Sequence, residues 1–305
     1  MISPISLGSW PTPVEAAPRL AARLGVAGLW FKRDDLTGLG GGGNKVRKLQ
    51  YTCAQAVAAG ARTVITSGAA QSNHARLTAA AAARLGMGCV LVLAGEPAAR
   101  RGNLLLDELA GAEVIWAGDT PLAEVVAAQA AERRAPASPR AATPAPAFVI
   151  PFGGSSPASV EAYVDCAREI RAQVDGFDAV VVAVGSGGTM AGLVKELGPE
   201  RVVGVDTGAL PDPRAAVADL LGGVVDPAAL RIDGGQVGAG YSTLTGPVRA
   251  ALELTARTEG IFLDPVYTGR AMASLIAGGH GDRIVFLHSG GLPGLLAHPQ
   301  LQEGS

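Results

Sequence analysis

Apolar positions along the chain fall into short, dense runs that alternate with longer Ala-rich stretches of helical period. Thr63–Ser67 reads as a strand, Asn73–Leu85 as a helix, Cys89–Leu93 as a strand, Arg101–Ala110 as a helix and Glu113–Trp116 as a strand. The same order returns in the second half, with Ala179–Val184, Met190–Leu197 and Val202–Val205 as strand, helix and strand. Strand and helix in strict alternation predict parallel sheets covered by helices, here as two α/β units. Between them, Arg133 to Pro146 holds four prolines, which end the helix beginning near Leu122 and predict a surface connection. Thr245–Thr258 reads as a helix with Pro247 in its first turn, where a missing N–H costs nothing, and Ile284–Leu287 as the last strand.

Composition narrows the function classes. A chain of 305 residues with 48% hydrophobic content buries a substantial core and suits two domains. No apolar run is long enough to span a bilayer, so no membrane partner is expected. The N-terminal segment lacks a basic stretch followed by an apolar one, and the expected compartment is the cytoplasm. A net charge of -2 with scattered arginines offers no basic face, which argues against nucleic acid and for a small-molecule partner. Cys53, Cys89 and Cys166 lie far apart without metal-ligand spacing; buried free thiols are expected, and no metal site. The 42 glycines cluster at the ends of apolar runs, where backbone passes close to a ligand.

Four segments carry chemistry. Gly40-Gly41-Gly42-Gly43-Asn44-Lys45-Val46-Arg47-Lys48 runs four glycines into a lysine at a helix start, where free amides receive an anion. A nucleotide-hydrolase phosphate loop needs Ser or Thr after the lysine, and Val46 stands there. Gln71-Ser72-Asn73-His74 lies between a strand and a helix, at the carboxyl end of the strand, where α/β sheets bind ligands. Ser72 or Asn73 would equally serve as a plain helix cap. Gly185-Ser186-Gly187-Gly188-Thr189 repeats the strand, glycine turn and helix, a cup for a phosphate. A dinucleotide fingerprint there is incomplete, because Met190 occupies the third glycine position. The last segment joins Asp264-Pro265-Val266-Tyr267-Thr268-Gly269 to His288-Ser289-Gly290-Gly291; either piece alone could be an ordinary turn, but a hydroxyl at Ser289 could meet a ring nitrogen.

Taken in order, these segments resemble the fold type II pyridoxal-phosphate (PLP) enzymes, and within them the D-cysteine desulfhydrase, aminocyclopropane-carboxylate deaminase and L-cysteate sulfo-lyase group. Gly-Gly-Asn-Lys-x-Arg-Lys-Leu and Gln-Ser-Asn-His carry the likeness, which extends from about Pro11 to Gly294. It implies two open, twisted, mainly parallel sheets flanked by helices, with the cofactor between a large domain (1–46 plus 158–305) and a small one (47–157). It implies that Lys45 is the Schiff-base lysine, that Lys48 and Gly185 to Thr189 hold the phosphate, and that Asn73 bonds the phenolic oxygen. Ser72 would meet the substrate carboxylate or relay a proton, with Gln71 on the same wall. Tyr241 and Tyr267 would line the substrate side, and Thr268 or Ser289 would meet the ring nitrogen. A homodimer is the usual assembly of such enzymes.

The same resemblance orders the substrates. Aminocyclopropane-carboxylate deaminases carry a glutamate directly after the tyrosine of Asp-Pro-Val-Tyr, whereas this chain has Thr268. A neutral hydroxyl does not keep the ring nitrogen protonated, which favours β-elimination. D-cysteine is therefore expected first, L-cysteate second, with Arg76 or Arg270 considered for its sulfonate, and aminocyclopropane-carboxylate third. The alternative of a different class is a PLP- or nucleotide-binding protein without turnover. Ser289, Arg270 and Gln50 stand where the group commonly has Thr, Lys and Glu, and the Pro-rich stretch is atypical of it.

Overall fold

The computed structural model describes residues 2–133 and 146–302, so the Pro-rich stretch lies outside the described residues apart from its two ends. The chain divides into two compact units, Met1–Gly8 with Lys45–Gly154, and Ser9–Asn44 with Ser155–Ser305.

The smaller unit is a four-stranded, wholly parallel sheet in the order Glu113–Trp116, Gly88–Leu93, Thr63–Gly68, Ala147–Val149. Parallel strands need crossovers, and the helices Asn73–Arg84, Asn103–Leu109 and Leu122–Glu132 lie in the intervening chain. Ile65, Val90, Val92, Ala117, Ala130 and Ala147 form a core cluster, with Ile115, Leu122, Val125 and Val126 packed against it. Met1–Gly8 groups with this unit, not with the larger one to which the resemblance assigned it. The Ile5 N–H donates to the Gln50 carbonyl at 3.1 Å and the Leu7 N–H to Gln50 Oε1 at 3.1 Å, while the Leu7 side chain is buried.

The larger unit is a six-stranded sheet in the order Val14–Ala16, Gly28–Arg33, Arg283–His288, Ala179–Val184, Val202–Asp206, Arg231–Asp233. Only the first pair is antiparallel. Phe31 and Phe286 meet edge to face at 5.3 Å in its core, which also takes Leu20, Val181, Leu263 and Met272. The expected strands and helices are present with ends shifted by a residue or two. Gly28–Arg33, not anticipated from the pattern, carries a fully buried lysine: Lys32 Nζ bonds Glu169 at 2.7 Å, the Thr12 carbonyl at 2.7 Å and Gln173 Oε1 at 2.7 Å. A buried ammonium so surrounded no longer opposes burial of the strand. Among the described residues no helix is long and apolar enough to cross a membrane.

Candidate active site

In the smaller unit, Lys45 opens the helix Lys45–Ala58, and Lys48 follows one turn later on the same face. Their amines share a hydrogen bond, and both are pulled below the ordinary lysine value. Burial brings Lys45 to about 8, against the bond from Lys48. Lys48 is lowered further by burial and by the charge of Lys45. Burial is the larger cause of both shifts, so both amines are held towards their neutral, nucleophilic form.

His74 backs this pair. Its Nε2 lies 2.8 Å from Thr66 Oγ1, whose own proton goes to the Ile150 carbonyl at 2.9 Å. Thr66 must therefore accept, which places the ring proton on Nε2 and leaves Nδ1 as a buried acceptor with no partner among the described residues. Burial and the charges of Lys45 and Lys48 keep the ring neutral. Gly154, at φ 66°, lies so close that an added Cβ would stand 3.2 Å from His74 Cε1.

Ser72 is the N-cap of Asn73–Arg84, accepting from the Ala75 N–H at 3.2 Å. The cap uses a lone pair and leaves the hydroxyl proton to give, so the capping and binding readings of Ser72 are compatible. Gly68 makes the room, because a Cβ there would lie 2.6 Å from Ser72 Oγ. Gln71 is committed at both ends of its carboxamide: Nε2 donates to the Arg101 carbonyl at 3.0 Å and Oε1 accepts from the Asn103 N–H at 2.9 Å. It braces the 101–103 segment and keeps one N–H and one lone pair beyond these two bonds. Asn73 Oδ1 accepts from Asn103 Nδ2 at 3.0 Å.

In the larger unit, the strand Ala179–Val184 ends in the turn that opens the helix Gly188–Leu197. Gly187 sits at φ 83° and has no side chain with which to cap that helix. The Ser155 hydroxyl meets the Gly188 N–H at 3.3 Å and the Ser186 hydroxyl at 2.7 Å. A helix start without an N-cap side chain, with hydroxyls around it, forms the donor set of a phosphate site. Asn44 Nδ2 donates to Thr189 Oγ1 at 3.2 Å, and its backbone N–H to the Ser289 carbonyl at 2.9 Å. The glycine loop, the 185–189 turn and the Ser289 turn are thus tied together by the residue that precedes Lys45. Close backbone approach explains the glycines. A Cβ on Gly42 would fall 1.8 Å from the Asp35 carbonyl oxygen, and one on Gly290 would fall 2.8 Å from Gly43 Cα.

Asp264 organises the remaining residues. It accepts from the N–H groups of Val266, Tyr267 and Thr268 at 3.0, 2.9 and 2.8 Å, and from Thr268 Oγ1 at 2.7 Å. Thr268 Oγ1 in turn accepts the Asp264 N–H at 2.8 Å and is fully buried. That hydroxyl is spent on the turn, so of the two residues expected at a ring nitrogen only the half-buried Ser289 retains its side chain for that use. Tyr267 and Tyr241 join hydroxyl to hydroxyl with their rings edge to face at 5.9 Å. The ring of Tyr267 fits because Gly185 has no Cβ, which would stand 3.0 Å away. Burial holds both phenols above their ordinary pKa, so both keep their protons at neutral pH. Arg270 donates to the carbonyls of Thr207, Gly240, Tyr241 and Thr243 and fixes the loop that carries Tyr241.

A lysine amine of lowered pKa is the group that takes an aldehyde, and in the other unit a helix start with no N-cap side chain, lined with hydroxyls, is one that takes a phosphate. The family model described as pyridoxal-phosphate dependent enzyme matches residues 5–290. The chain belongs to this enzyme family. Its relatives include a putative 1-aminocyclopropane-1-carboxylate deaminase of Pyrococcus abyssi, 39% identical over 95% of this chain and 92% of that one. A D-cysteine desulfhydrase of Yersinia enterocolitica is 38% identical over 95% and 94%. Among solved structures, one described as an ACC deaminase homologue superposes with a TM-score of 0.87 at 34% identity, covering 99% of this chain and 96% of that chain. The architecture is that of a fold type II PLP enzyme, as the motifs implied.

The supporting roles of Asp264, Arg270, His74 and Asn103 were not readable from the sequence. Each acts through backbone groups or through residues remote in sequence, and no local motif marks such a role.

Proposed function

We propose that the protein is a PLP-dependent lyase that eliminates the β-substituent of a small amino acid, with D-cysteine as substrate and pyruvate, hydrogen sulfide and ammonia as products. Lys45 would carry the cofactor, Lys48 and the 185–189 turn its phosphate, Asn73 its phenolic oxygen and Ser289 its ring nitrogen. The bound cofactor supplies an electron sink for the pair left when the Cα proton departs. Lys45 Nζ, released when the substrate amino group takes its place and with its pKa lowered by burial, would take that proton. Ser72 holds the carboxylate. One phenol of the Tyr241 and Tyr267 pair gives its proton to the departing thiolate, and the unsaturated amino acid released takes up water to yield pyruvate and ammonia.

The observation that carries the reading is this phenol pair, two half-buried tyrosines whose hydroxyls stay protonated and whose backbones are held by Asp264 and Arg270. A proton donor of this kind suits a thiolate leaving group. It suits a sulfonate less, because the cations considered for one are occupied: Arg270 by four carbonyls, and Arg76, fully buried, by the attraction of Asp107. Identities of 38% and 39% to relatives named for different substrates do not separate D-cysteine from aminocyclopropane-carboxylate, so the preference for D-cysteine rests on a neutral hydroxyl in place of a glutamate at the ring nitrogen and on the phenols.

The test is a 2-oxo acid assay on purified protein with D-cysteine, L-cysteine, L-cysteate and aminocyclopropane-carboxylate. D-cysteine should show the highest kcat/KM. A higher value for aminocyclopropane-carboxylate or L-cysteate overturns the substrate assignment. Lys45→Ala should remove the borohydride-sensitive visible band, and a band that survives overturns the role of Lys45.

A further inference from the structure

We infer that Asn103 is a positioning residue that sets which end of the Asn73 carboxamide is offered to the cofactor. The inference rests on the reading of Asn73 as the partner of the phenolic oxygen, and deepens it.

One group in this cluster has a polarity that admits no exchange. Asn103 Nδ2 lies 2.8 Å from the backbone carbonyl of Gln71, which can only accept, so that end of Asn103 must be its NH2. The same nitrogen lies 3.0 Å from one end of the Asn73 carboxamide, which must therefore be the oxygen. Asn73 is left with its own NH2 directed away from Asn103. Gln71 locks the arrangement a second time, because its Oε1 takes the Asn103 N–H while its Nε2 gives to the Arg101 carbonyl. An ionised phenolic oxygen accepts hydrogen bonds, and only the NH2 end of Asn73 can supply one.

A second observation separates this role from simple bracing of the loop. Asn103 is fully buried and its Oδ1 has no hydrogen-bond partner among the described residues. Burying an unpaired acceptor works against stability, and an apolar side chain of similar size would avoid that cost. The benefit of an asparagine at this position lies in its two N–H donors, one on the Gln71 carbonyl and one on Asn73.

The experiment follows the visible absorbance band of PLP-loaded protein as a function of pH. A donor on the phenolic oxygen favours loss of the proton from the linkage between Lys45 and the cofactor, so loss of the donor raises the midpoint. Asn73→Ala should raise it by about one pH unit or more, the size expected of one hydrogen bond to a charged group. Asn103→Leu and Asn103→Ala should each raise it by at least about half as much, since a released Asn73 offers either end. The double variant Asn73→Ala/Asn103→Leu should match Asn73→Ala alone.

A shift with Asn73→Ala but none with either Asn103 variant overturns the positioning role and leaves the reading of Asn73 intact. No shift with Asn73→Ala overturns both. A double variant that shifts well beyond Asn73→Ala means that Asn103 acts independently, which also overturns the proposal. If both Asn103 variants lose their native circular dichroism, the residue is structural and the proposal fails.

Discussion

A lysine amine acts as nucleophile or base only when it has lost its proton, and that fraction separates Lys45 from an ordinary exposed lysine. With its pKa lowered to about 8 by burial, roughly half of Lys45 is neutral at pH 8, where an ordinary lysine is almost wholly charged. In cofactor-free protein, the rate at which Lys45 captures PLP should therefore climb with pH up to about 8 and then level off. Stopped-flow absorbance measures it, and a rate still rising about tenfold per unit well above that pH would contradict the assignment. Lys45 was legible in the sequence because its glycines and its Asn44 neighbour form a contiguous motif. The division of labour between Thr268 and Ser289 was not. Both are hydroxyl residues at turns, and only the hydrogen bonds to Asp264 reveal that one of them is already occupied.

At the scale of elements, the helix Thr268–Ala277 shows how a support can stand apart from the chemistry it serves. Its Arg270 reaches back to four carbonyls in the segment from Thr207 to Thr243, and that loop presents Tyr241. A lysine has one nitrogen and cannot satisfy a fork of carbonyls. Arg270→Lys should lower stability by about 2–4 kcal/mol and should reduce kcat more than it changes KM, because Tyr241 loses its fixed position. Denaturant unfolding and steady-state kinetics measure the two effects, and an unchanged kcat would contradict a role for Arg270 in placing Tyr241. Strand and helix alternation was readable for the elements that follow a simple period. The strand Gly28–Arg33 was hidden because Lys32 looks like a surface residue until Glu169 and Gln173, well over a hundred positions later, are placed beside it.

For the molecule as a whole, the three thiols were expected to be buried and outside any disulfide, and they are. Burial pushes Cys53 and Cys89 up to about 12, so almost none of either is thiolate at working pH. Native protein should therefore react with a thiol reagent such as dithionitrobenzoate at about pH 8 only slowly, and should release three equivalents once denatured. Fast labelling of a thiol in the native state would show that the units open readily. The two-unit plan was legible from the repeated grammar of the halves. The membership of Met1–Gly8 was not, because it depends on two hydrogen bonds to Gln50.

The order of strands in the larger sheet has a consequence for how the protein is made. Arg283–His288, the latest of the six strands in chain order, pairs between Gly28–Arg33 and Ala179–Val184, in the interior of the sheet. The smaller unit draws only on residues up to 154, all of which are made before the larger unit is complete. The larger sheet stays open until translation has passed residue 288, and the turn at Ser289 is completed with it. A chain stopped short of residue 283 would thus keep Lys45 on a finished unit and lack the strand that the other unit is built around.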